Sequence, residues 1–120
     1  MKKEPRKISV SIGADGNIEV LKGFRYLWEG AVIGIPSGFI SDLASVPRIL
    51  RPFIGKTELG ALGPILHDAL YRSGGRGGLF SRAEADRIFL VAMGEQGVGW
   101  LRRWVAYVAV RLFAWGAWQG

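Results

Sequence analysis

The chain has 120 residues, enough for one domain and too few for two, and about half of it is hydrophobic, enough for a core. It has no cysteine and a single histidine, which excludes disulfides, thiolate nucleophiles, cysteine-ligated zinc and histidine-rich metal sites. Its formal charge of +6 favours contact with something anionic (nucleic acid, phospholipid headgroups or an acidic partner) or simply keeps the protein soluble.

The chain reads as one domain over 1–120, with 1–6 as a flexible basic lead-in carrying Lys2, Lys3 and Arg6. Charges stand there with no apolar stretch behind them, so no signal peptide is expected. Ile8, Val10 and Ile12 alternate with polar residues, which is the period of a strand. Ala14-Asp15-Gly16-Asn17 supplies a turn, and Ile18 and Val20 resume the alternation, which predicts a hairpin. Phe24 to Trp28 and Ala31 to Ile35 predict a second pair, joined near Glu29-Gly30 and ended by Pro36-Ser37-Gly38.

Helices follow. Ser45-Val46-Pro47 is a candidate helix start, with Ser45 as cap and Pro47 in the first turn. A second helix is expected from about Glu58 to Ser73, stopped by Gly74-Gly75. The glycine-rich stretch 74–78 lacks the Lys-Ser/Thr of a phosphate loop and reads as a flexible connection, with Arg76 as a candidate phosphate contact. Ser81 with Glu84 three residues later is a capping-box pattern, which opens a third helix ending near Gly97. A fourth runs from about Val98 to Trp118; its apolar run is broken by Arg111 and is too short for a membrane span of about 20 apolar residues. Strands first and helices after give an α+β domain: hairpins or a small antiparallel sheet over about 7–35, then three to four helices.

Three features are candidates for chemistry. In Leu66-His67-Asp68-Ala69-Leu70-Tyr71, His67 and Tyr71 are four apart and share one helical face, while Asp68 points about a third of a turn away. Apolar neighbours make His67 at least half buried, so it needs a partner, and Asp86 on the third helix offers one. A carboxylate on one ring nitrogen fixes the histidine tautomer and leaves the other as a general base. The same residues also read as a polar network that ties two helices together. The second feature is Asp42 and Ser45 in the strand-to-helix turn. They read as backbone caps, or as a second carboxylate beside His67 and a weak nucleophile candidate. With no cysteine and one histidine, any metal would be a hard cation on carboxylates such as Asp68 and Asp42. The third feature is the last helix, where Trp100, Trp104, Tyr107, Trp115 and Trp118 mix with Arg102, Arg103 and Arg111. Arg102, Arg103, Arg111, Trp115 and Trp118 are the candidate contact residues for a protein or a membrane interface, or several of the tryptophans simply complete the core.

From Val10 onward the chain resembles a family of short phage and prophage proteins, domain of unknown function 1353. The matching pieces are Ile35 to Phe39, Ser41 to Arg48, Leu66 to Tyr71, Ala85 to Phe89 and the tail from Tyr107 to Trp118. That resemblance implies a phage origin and no particular reaction. Locally, His67-Asp68-x-x-Tyr71 followed by Asp86-x-x-Phe89 is similar to the helix pair of secreted phospholipases A2. This likeness implies His67 as base for water, Asp68 as calcium ligand, Asp86 as the residue that orients His67, and Tyr71 as a supporting partner. The disulfides and the glycine-rich calcium loop of those enzymes have no counterpart here.

Two readings follow. The first is a phage or prophage accessory protein that acts by binding, as a virion or tail component or on a host factor, in the host cytoplasm or the virion. Its partner would be a protein, with an anionic phospholipid surface as another candidate; no helix-turn-helix or basic stripe supports sequence-specific DNA binding. It expects His67, Tyr71 and Asp86 to be buried and bonded to one another. The alternative is a His/Asp hydrolase resembling phospholipase A2, calcium-dependent and membrane-associated, with an open cleft over His67.

Overall fold

The structure is a computed structural model that describes residues 7–13, 17–42 and 60–119. The N-terminal part is β1 (Val10–Ile12), β2 (Ile18–Val20), β3 (Phe24–Trp28), β4 (Ala31–Ile35) and β5 (Ile40–Ser41). Helices follow: α1 (Leu62–Arg72), the short α2 (Gly74–Gly78), α3 (Arg82–Glu95) and α4 (Trp100–Phe113), closed by a 3-10 turn at Ala114–Ala117. The α+β order expected from the sequence is present. The proposed start at Ser45-Val46-Pro47 and the turn at Asp15-Gly16 lie outside the described residues, as does Glu58.

Among the described residues, all strand pairing is antiparallel. β1-β2-β5 form one small sheet, in which Val10 faces Val20 and Ile18 faces Ser41; β3 and β4 form a second, from Phe24 opposite Ile35 to Trp28 opposite Ala31. Alternation decides which side chains enter the core: Ile18, Val20, Tyr26, Ile33 and Ile35 are buried while Glu19, Arg25 and Leu27 face out. The two-residue β5 has too little length for its own periodic signal, and the sequence reading did not find it.

α1 is the central helix. Residues 62–71 are buried on every side, with the strands against one flank and α3 against another. The close crossing with α3 explains Gly63: a Cβ there would lie 2.7 Å from Met93 Cγ and 3.1 Å from the Phe89 carbonyl oxygen. Ala61 gives α1 no side-chain cap. Instead the buried Gln96, past the end of α3, accepts from the Leu62 N–H at 2.7 Å. α3 starts as expected: Ser81 Oγ accepts from the Glu84 N–H at 3.1 Å, and Glu84 Oε1 accepts from the Ser81 N–H at 3.2 Å.

The glycine stretch takes an unusual path: Gly74, Gly75, Arg76, Gly77 and Gly78 all have positive φ, between 58° and 96°. Serine supports its entry, since Ser73 Oγ accepts from the Arg76 N–H at 3.0 Å. The Arg76 side chain reaches back to the Gly34 carbonyl of β4 at 2.8 Å.

Candidate functional site

Asp86 is the centre of the buried polar cluster. Alternate turns of α3 direct Ala85, Ile88, Phe89 and Ala92 into the core, and Asp86 shares that buried side. His67 and Tyr71, one turn apart on α1, face it together. His67 Nε2 lies 2.6 Å from Asp86 Oδ1, and the Tyr71 hydroxyl donates to the same oxygen at 2.6 Å. Arg111 from α4 donates through Nη1 to the other oxygen, Oδ2, at 2.8 Å. One carboxylate therefore receives donors from two helices besides its own.

The cluster is deep. His67 and Asp86 are 0% exposed and Tyr71 1%, within the expectation that His67 is at least half buried. Burial alone pulls the Asp86 carboxyl upward; the hydrogen bonds from His67, Tyr71 and Arg111, with the attraction of the His67 ring, outweigh it and hold the group below the ordinary carboxylate value. Burial pushes the Tyr71 phenol up, and the bond to Asp86 and its negative charge push it further. Asp86 is thus ionised and Tyr71 is a donor. The rings stack as well: His67 lies 4.1 Å from Tyr71 and 4.8 Å from Phe89 between centroids, and Trp118 meets Tyr71 edge-on at 5.1 Å.

Arg82 closes the far side. Its Nε donates to the Tyr71 hydroxyl at 3.2 Å, and its Nη2 reaches the Val110 and Arg111 carbonyls at 3.0 and 2.8 Å. Those carbonyls belong to the last turn of α4, where a cation is favourable; that of Val110 also accepts from the Ala114 N–H. The sequence reading missed Arg82 and Gln96.

Asp68 points the other way, as its spacing from His67 requires. It is buried, and its Oδ2 accepts from the Ser41 hydroxyl on β5. Arg72, one turn further along α1, lies 3.9 Å from the same oxygen and pairs with Asp42 Oδ1 at 3.0 Å. The two carboxylates proposed for calcium are thus served by a guanidinium between them. Among the described residues, no group of three or more His, Cys, Asp or Glu stands together as a metal site. Calcium needs six to eight oxygens, so the donor set on view does not fit it. Ser45 lies outside the described residues.

The candidate contact residues of α4 divide. Arg111 and Trp118 turn inward, onto Asp86 and Tyr71. Arg103 lies against Gly94 and donates to the Val98 carbonyl at 3.2 Å. Arg102 and Trp115 are exposed. Trp100, Leu101, Val105, Val108, Leu112 and Phe113 are exposed with them, whereas Ala106 and Val110 face the body.

A family model described as Protein of unknown function (DUF1353) matches residues 18–110, more than three quarters of the chain. The chain belongs to this family. The matched span of this DUF1353 protein contains His67, Asp68, Tyr71, Arg82 and Asp86, and it ends one residue before Arg111. No curated protein and no solved structure matches it. No described helix is long and apolar enough to cross a membrane.

Proposed function

We propose that this chain works by contact, as a non-catalytic binding or assembly component, with the outer face of α4 as its docking surface. The observation that supports this reading is the row of large apolar side chains, Leu101, Val105, Val108 and Leu112, that α4 turns away from the body, with Trp115 exposed just past its end. Soluble monomers seldom leave so much contiguous apolar surface open without a use for it. The Asp86 cluster then serves as the polar clamp that fixes α4 on α1 and α3. The phage or prophage resemblance favours a virion or tail component, or a protein that engages a host factor, working in the host cytoplasm or the virion; an anionic phospholipid surface is the other occupant that suits this face.

A second reading keeps the hydrolase. It rests on the 2.6 Å contact of His67 Nε2 with Asp86, which fixes the tautomer and makes Nδ1 the proton acceptor of a general base. Tyr71 and Arg111 would hold Asp86 in place as the orienting carboxylate.

The single histidine separates the two. Under the binding reading, the imidazole Nε2–H gives a persistent, slowly exchanging NMR signal that calcium does not alter. A signal lost to rapid exchange, or moved by calcium, would speak for the hydrolase; lipid and ester substrates would then be tested, and His67→Ala would abolish turnover.

A further inference from the structure

We infer that the outer face of α4 is covered by the same face of a second copy, packed antiparallel across a two-fold axis between residues 106 and 107. The inference names the occupant of the docking surface proposed above and rests on that reading.

Spacing is the first argument. Leu101, Val105, Val108 and Leu112 are separated by four, three and four residues, the seam of a helix that packs lengthwise on another helix. Their exposures are 67, 39, 49 and 59%. Val110 and Ala106, on the opposite side, are buried, so the seam faces away from the body.

Self-complementarity is the second. In an antiparallel pair with that axis, Leu101 of one copy meets Leu112 of the other, and Val105 meets Val108. Large faces large and small faces small, which is what an isologous interface requires of one patch.

Charge is the third. No Asp or Glu occurs after Glu95. Arg103 and Arg111 are tied to the body through Val98 and Asp86, which leaves Arg102 as the exposed arginine of this helix. In the antiparallel pair, Arg102 flanks Ala109 of the second copy, so no like charges meet along the seam.

Area is the fourth. Leu101, Trp104, Val105, Val108 and Leu112 together expose on the order of 500 Å², which two copies would bury as a small interface of the weak, concentration-dependent class. A lipid surface would need neither the four-three spacing nor the palindrome. Two heptads are too short to pair as free helices, where about three or four are needed, so the seam depends on α4 being held rigid by the body.

The test uses the full chain, which contains no cysteine. Light scattering after size exclusion, over about 1–200 μM, should give twice 13.1 kDa at the upper end. Leu101→Cys and Leu112→Cys chains, mixed and mildly oxidised, should link to each other, and neither should link to itself. Two copies of position 101 lie about 16 Å apart along the antiparallel pair, whereas a disulfide needs Cα atoms within about 7 Å. Val105→Glu with Val108→Glu, both at exposed positions, should give a monomer with an unchanged far-ultraviolet spectrum. A monomer at every concentration, or Leu101→Cys linking to itself as readily as to Leu112→Cys, overturns the inference. So does a monomer that sediments with phosphatidylglycerol vesicles, which would give the face to lipid. In each of these cases a persistent His67 N–H signal leaves the non-catalytic reading standing, so the two failures are distinct.

Discussion

Arg111 and His67 hold opposite oxygens of one carboxylate: Arg111 Nη1 is 2.8 Å from Asp86 Oδ2, and His67 Nε2 is 2.6 Å from Oδ1. The last helix and the central helix are therefore joined through a side chain of the helix between them.

Removing that side chain strands both partners. Asp86→Ala leaves a guanidinium, an imidazole and a phenol without their acceptor, and breaking a buried charged pair from one side costs about 3–5 kcal/mol. Much of a small domain's stability lies in that range. Arg111→Ala removes one charge-assisted bond and should cost less, about 1.5–3 kcal/mol. Urea midpoints at constant slope measure both.

Acid should act through the same carboxylate. Asp86 titrates lower in the folded chain than in the unfolded one. Its contribution is therefore complete above the unfolded value, about 4, and is lost as pH falls through the lower folded value. Stability measured from pH 6 downward should decline below about 4, and Asp86→Asn should flatten that decline. An equally steep decline in Asp86→Asn would place the acid sensitivity elsewhere.

Gln96 acts over a longer reach. Its Oε1 is the side-chain acceptor at the α1 N-terminus, from 34 residues away. Gln96→Ala should cost about 0.5–2 kcal/mol, as lost caps do, and thermal unfolding reads it directly. Gln96→Glu keeps the acceptor and should recover part of the loss.

Gly75→Ala should be severe. The position has φ of +73°, and a Cβ would fall 1.9 Å from the Phe80 carbonyl oxygen. The backbone conformation alone costs about 1–2 kcal/mol, and the clash adds to it. At Gly77, with φ of +73° and no atom within 4 Å of such a Cβ, alanine should incur the conformational cost alone. The difference between the two melting temperatures isolates the contact.

What the sequence made legible was local. The Ser81–Glu84 capping box lies within four residues and follows from residue type and spacing. His67 and Tyr71 are one turn apart, and Asp86 was the acid at the right place on the next helix, so their meeting was readable before their distance was. Arg111, Arg82 and Gln96 were not readable in these roles, because their partners lie 25, 11 to 29, and 34 residues away and an arginine or glutamine has no periodic signature. Nor does composition say which side of α4 faces in: Leu101, Val105 and Leu112 are as apolar as the buried Ala106 and Val110, and only packing separates them.

The turn from Gly74 to Gly78 has a consequence for handedness. Across Gly75, Arg76 and Gly77 the backbone follows the mirror image of an ordinary helical turn, a path that L side chains resist and D side chains prefer. Glycine is abundant there because it has no chirality to violate. A chain assembled by chemical ligation with D-alanine at Gly77 should unfold at a higher temperature than the natural one, because the unfolded chain alone loses freedom. Arg76, the one chiral residue of the run, retains its place at φ of 58° through its bond to the Gly34 carbonyl.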